Sequence, residues 1–149
     1  MLVKYYDEGL NKILNNHQAN MDTPPVFKLL LVREFYVFSQ SETQATSGQI
    51  GTNELTSVNY TAGGKVIQNV TVTYDGVTEQ RWKYDGDDVE WTNLTATARG
   101  AVLYISQDDD SDDPPLCYFD FEGDQVLTDD DIKITFHATD GFIKMGKDQ

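Results

Sequence analysis

The chain has 149 residues, the size of one domain, and apolar residues make up 39% of it, enough for a real core. Aromatic residues at 11% argue against a wholly disordered chain. Eleven basic against twenty-five acidic residues give a net charge of −14, which repels nucleic acid and anionic membranes and fits either a soluble protein that meets a basic surface or one that only has to stay soluble.

A lone cysteine, Cys117, excludes an internal disulfide framework and a four-cysteine zinc site. The apolar start Met1-Leu2-Val3 breaks at Lys4, so no secretory leader is expected, and the longest apolar run is far short of a membrane span. Synthesis in a reducing cytosol without export is the simplest reading. The sequons at Asn59, Asn69 and Asn93 are explained by their Thr-rich strand context, and without a secretory signal glycosylation is not expected.

In chain order, the first element predicted is a short helix over about residues 3–16. Val3, Tyr6, Leu10, Ile13 and Leu14 fall on one helical stripe, with Asp7, Glu8, Asn11 and Lys12 opposite. Gly9 weakens this helix, and Asn15-Asn16 with Pro24-Pro25 ends it. So short a helix must dock on something.

From Val26 the signal is β. Phe27 to Val32 suits a buried strand, continued by Phe35 to Phe38 past a bend at Arg33-Glu34. Residues 40–53 are rich in Ser, Thr, Gln and Gly and read as a long, flexible loop. Gln40, Gln44 and Gln49 make it a candidate arm that orders on a neighbouring subunit.

Strands are then predicted over Leu55–Tyr60 and Val66–Tyr74, with Val66, Val70, Val72 and Tyr74 on one face of the second. Asp75-Gly76 signals a two-residue hairpin, with Val77 to Tyr84 as the return strand. Val89 and Trp91 share one parity, whereas Leu94, Ala96 and Ala98 take the other, which predicts a β-bulge near Thr92-Asn93. Ala101 to Ser106 is nearly all apolar and should be buried on both faces. Leu116–Phe121, Ile132–Phe136 and Phe142–Met145 complete the set, and Asp129-Asp130-Asp131 reads as a turn. Ile132, Ile134 and Phe136 alternate with Lys133, Thr135 and His137.

Eight to ten short strands without intervening helices predict one all-β domain over residues 1–149. The expected fold is an antiparallel, jelly-roll-like β-sandwich with one N-terminal helix.

Candidate chemistry is sparse. Asp108, Asp110 and Asp112 resemble the start of a calcium loop, but Asp113 stands where glycine is required and Phe119 where glutamate is required. A solvated loop is the plainer reading, and no metal or cofactor is expected. Cys117 lies in an apolar strand, which favours an inert thiol over a nucleophile paired with His137. No hydrolase, phosphate-loop or dinucleotide motif occurs, so an enzyme is not expected. Trp82, Tyr84 and Trp91 flank the Asp85-Gly86 turn, where they form either a cross-strand aromatic cluster or a platform for a sugar.

Five segments together carry a resemblance. They are Tyr6-Asp7-Glu8-Gly9 running to Leu14; Phe27 to Val32; Asp85-Gly86-Asp87-Asp88-Val89 followed by Ala101 to Ile105; Pro115-Leu116-Cys117-Tyr118-Phe119-Asp120; and Asp131 to Phe136 with Gly141 to Met145. In order and spacing the chain resembles a group of small tailed-bacteriophage virion proteins encoded near capsid and head genes. The polar loop from Gln40 and the Asp-rich stretch at 108–113 depart from that pattern. The resemblance implies a β-sandwich virion component and transfers no catalytic residue.

Small size, an all-β body and an acidic surface make a capsid cement or decoration protein the leading expectation. It would bind the outer surface of the major capsid protein shell as a homo-dimer or homo-trimer, its weak contacts adding by multivalency. A neck, tail or fibre component is one alternative; a carbohydrate- or receptor-binding module is another. Candidate interaction residues are Tyr6, Leu10, Gln40, Gln44, Gln49, Trp82, Tyr84 and Trp91.

Overall fold

The computed structural model describes residues 1–9, 11, 25–76, 81–107, 113–137 and 141–146. Among these, the strands are β1 (Leu2–Tyr5), β2 (Val26–Arg33), β3 (Lys65–Val66), β4 (Thr71–Asp75), β5 (Arg81–Asp85), β6 (Val89–Ser106), β7 (Pro115–Ile134) and β8 (Ile143–Gly146); the short helix α1 spans Gly48–Thr52. They build two antiparallel sheets, ordered β1-β7-β6-β2-β3 and β4-β5-β8. The all-β, sandwich-like architecture expected from the sequence is present.

Strands β6 and β7 form one long hairpin that takes up four of the predicted segments. The predicted bulge is there: Trp91 pairs with Ile132, the next pair is Leu94 with Asp130, and Asn93 has a φ of 53°. Asp129-Asp130-Asp131 is therefore no turn between strands but the opposite wall of this bulge. The Asn93 amide donates to Asp131 Oδ1 at 2.9 Å, and the Asp129 amide donates to Thr95 Oγ1 at 3.1 Å. Short carboxylates and hydroxyls satisfy the backbone groups that the broken ladder leaves over.

The apolar runs of β2 and β6 lie at the centre of the larger sheet and bury both faces, which is why they lack alternation. Phe27, Leu29, Leu31, Ala101, Leu103 and Ile105 face the smaller sheet and join Tyr84, Trp91, Cys117, Ile134 and Phe142 in the inner core. Leu30, Val32, Val102, Tyr104 and Tyr118 face the other way, into an outer core closed by Tyr6, Tyr36, Ala45 and Ile50. The stretch 40–53, expected as a structureless arm, supplies this cover. It carries α1, buries Ala45 and Ile50, and donates the Ala45 amide to the Asp113 carbonyl at 2.8 Å. Two apolar residues in a polar segment are enough to hold it when a sheet face stands open beneath.

The N-terminal expectation needs correcting. Residues 2–5 are strand, not helix, and pair with β7 from Leu2 opposite Asp120 to Tyr5 opposite Cys117. Four residues fit a period of two as well as one of 3.6, and the edge of the larger sheet supplies the hydrogen bonds. Helical backbone occurs at residues 7–9 and 11; the other stripe residues Leu10, Ile13 and Leu14 lie outside the described residues. Gly9 is buried where the chain crosses β7: a Cβ there would stand 2.1 Å from the Pro115 carbonyl oxygen.

Three further segments differ from expectation. Tyr74 pairs with Trp82 and Asp75 with Arg81, so residues 76–80 connect β4 to β5 in place of a two-residue Asp75-Gly76 turn. The predicted strand Val66–Tyr74 is split at Asn69, which has a φ of 52°. Leu55–Tyr60 is not a strand. It touches β2 through a Val32–Glu54 bridge and the Leu55 amide, which donates to the Leu31 carbonyl at 2.8 Å. Phe35–Phe38 joins neither sheet, yet it keeps its alternation: Tyr36 is buried, whereas Phe35 and Val37 are 71% and 74% exposed.

Candidate functional site

The three rings proposed as a sugar platform do not share a surface. Trp91 is buried in β6, where its ring stacks on Tyr60 with centroids 6.2 Å apart. Tyr84 is buried in β5, edge-on to Phe27 at 5.6 Å. Trp82 is half-buried and packs on Tyr74, its cross-strand partner, at 4.7 Å. The expected cluster of Trp91 with Trp82 and Tyr84 across the Asp85-Gly86 turn is therefore absent, because β5 and β6 belong to different sheets.

The other candidates are also dispersed. Tyr6 is fully buried in the outer core. The exposed Gln40 donates its side-chain amide to Asp7 Oδ1 at 2.7 Å. Gln44 is half-buried and its Oε1 accepts the Ser47 hydroxyl, while Gln49 is exposed on α1.

The reactive side chains are tied into the structure. Cys117 is buried, and that burial pushes its thiol well above its ordinary pKa. His137 is exposed and bridges to Gly141 through the backbone. Asp113 is buried, and its Oδ1 accepts the Gln107 amide at 2.6 Å. Asp108 to Asp112, the expected acidic loop, lie outside the described residues. Among the described residues no group of three or more His, Cys, Asp or Glu is placed to hold a metal ion, and no helix is long and apolar enough to cross a membrane.

The surface that does stand out is the edge of the larger sheet at β1. One side of this strand pairs with β7; among the described residues no strand pairs with the other. Met1, Leu2, Val3 and Tyr5 are all large apolar side chains left exposed there. Val3 and Tyr5 line a cleft of about 280 Å³ together with Phe119, Ile134, Phe136 and Phe142 and the polar Thr135 and His137. On the opposite face Lys4 bonds Asp120 Oδ2 at 3.0 Å and lies over the rings of Phe38 and Tyr118. Burial disfavours the Asp120 carboxylate, but the Glu122 amide, Lys4 and Arg99 outweigh it and hold its pKa below the ordinary aspartate value. The Met1 ammonium lies 2.8 Å from the exposed Glu122 carboxylate. Reading residues 3–16 as a helix hid this edge; the alternation of Leu2 and Lys4 with Val3 and Tyr5 was the signal for it.

No protein-family model, no curated protein and no solved structure matches the chain.

Proposed function

We propose that the protein is a bacteriophage capsid cement or decoration protein, made in the host bacterial cytoplasm and carried on the outer surface of the major capsid protein shell. The observation behind this reading is the apolar edge at β1 on a strongly acidic body. An adhesive protein needs a rigid frame with open contact surfaces and no reaction centre. Here two cores stiffen the larger sheet from both sides, and Tyr6, Tyr84, Trp91 and the thiol are taken up in that packing. The sequence resemblance to phage virion components points the same way. A homo-dimer or homo-trimer would multiply weak contacts around each symmetry axis of the shell. A sugar- or receptor-binding role loses its support with the burial of Tyr84 and Trp91.

Cryo-EM of virions assembled with and without the gene tests the proposal. The expected result is sandwich-shaped density on the outer shell that disappears with the gene. Density confined to the neck, tail or fibres, or no difference between the particles, would refute it. Attachment driven by the acidic surface should also weaken as salt is raised.

A further inference from the structure

We infer that the edge of β1 left open among the described residues takes up an extended, cationic segment of a partner protein as a sixth strand of the five-stranded sheet. The inference deepens the adhesive reading by naming its contact surface and the chemistry of the partner, and it rests on that reading.

The backbone comes first. A strand paired on one side presents every second residue's N–H and C=O to the other side, a ready template for another strand. Proteins guard such edges with proline, a bulge, a very short strand or an outward charge. Leu2–Tyr5 contains no proline and runs in unbroken register with β7. Its one charged residue, Lys4, is held by Asp120 on the outer face. The opposite edge of the same sheet is guarded, since β3 is only two residues long.

Side chains supply the selectivity. An added strand continues the pleat of β1, so its alternate residues lie beside Val3 and Tyr5, over the cleft lined by Phe119, Ile134, Phe136 and Phe142. Apolar residues two apart in the guest fit that cleft.

Charge selects the source. Asp7 and Glu8 follow the strand directly at its Tyr5 end, and the Asp7 carboxylate there accepts a hydrogen bond from the neutral Gln40 amide. A second copy would bring the same charge of −14 to the contact, whereas a guest with Lys or Arg beside its apolar residues neutralises it. The occupant is therefore a basic segment of a different protein.

The test is selection from a random peptide library on the intact protein, followed by binding of the enriched peptide made synthetically. Enriched sequences should alternate apolar residues and carry Lys or Arg. Binding should fall about ten-fold or more with Val3→Asp, and likewise when alternate peptide amides are N-methylated. Asp7→Asn combined with Glu8→Gln should weaken binding and flatten its salt dependence. N-methylation needs no change in the protein, so it decides the matter even if Val3→Asp fails to fold. Failure to enrich any sequence family, enrichment of acidic peptides, or indifference to N-methylation overturns the inference. So does self-association of the protein that Val3→Asp abolishes, which would make a second copy the occupant. Shell density in the virion map together with a failed selection would leave the decoration reading standing and remove only the edge.

Discussion

The phenol oxygens of Tyr6 and Tyr36 share a hydrogen bond inside the outer core, fastening the residue after β1 to the segment that leaves β2. Tyr36 also sets its ring edge-on to Tyr118 with centroids 5.1 Å apart, and Tyr6 packs against Phe38 at 4.8 Å. Burial raises both hydroxyl pKa values, that of Tyr36 to about 12, so both stay neutral and the pair persists across the ordinary pH range. Removing the Tyr36 hydroxyl strands that of Tyr6 in an apolar site, whereas the Tyr36 hydroxyl keeps a backbone partner at Ser39 when Tyr6 loses its own. In urea denaturation Tyr36→Phe should cost about 1–2 kcal/mol and Tyr6→Phe less. The double variant should cost less than their sum; strict additivity would mean that the two hydroxyls do not depend on each other.

Neighbouring positions in β7 should respond oppositely to the same change. Ile134 is 4% exposed in the inner core, and an aspartate there would be an unpaired buried carboxylate. Ile134→Asp should cost several kcal/mol or abolish folding. Lys133 is exposed and bridges Asp88 at 3.2 Å. Lys133→Asp should cost about 1 kcal/mol or less, because solvent screens the pair. Thermal melts of the two variants check this, and equal damage would mean that the strand register is misassigned.

Cys117 gives a direct readout of global opening. With its thiol buried and its pKa raised, a thiol reagent should leave the native protein unlabelled. Labelling should begin only as denaturant unfolds the sandwich, in step with loss of the circular dichroism signal. Rapid labelling without denaturant would show that β7 opens locally.

Acid should weaken the fold partly through Asp120. The folded protein holds this carboxyl below its ordinary pKa, so the unfolded chain binds the proton more readily. The resulting stability is present above the unfolded pKa, near 4, and is lost as pH falls through the lower folded value. Asp120→Asn should lower stability at neutral pH and flatten its decline in acid. A decline as steep as that of the parent would assign the effect to other carboxylates, such as Asp88, whose pKa is also held down, chiefly by the Phe136 amide.

Local pattern revealed the central part of the fold. The apolar run from Ala101 to Ile105, the phase change between Trp91 and Leu94, and the alternation of Ile132, Ile134 and Phe136 each needed only neighbouring residues to be read. What depends on distant pairing was not legible. Leu2–Tyr5 becomes a strand because β7 offers it an edge, and Ala45 and Ile50 are buried because β2 and β6 leave a face open. Asp75-Gly76 has good turn chemistry, yet the register set by Tyr74 with Trp82 uses a longer connection. The aromatic trio failed as a site for a related reason: nearness in sequence across the Asp85-Gly86 turn hides a change of sheet.

Strand β1 comes from the start of the chain, but the ladder that shapes it comes from β7, most of the polypeptide later. The strand therefore takes shape only once β7 is in place, and its formation reports on contacts far away in sequence rather than on its own residues. Loss of β7 would leave residues 2–5 without the ladder that makes them a strand.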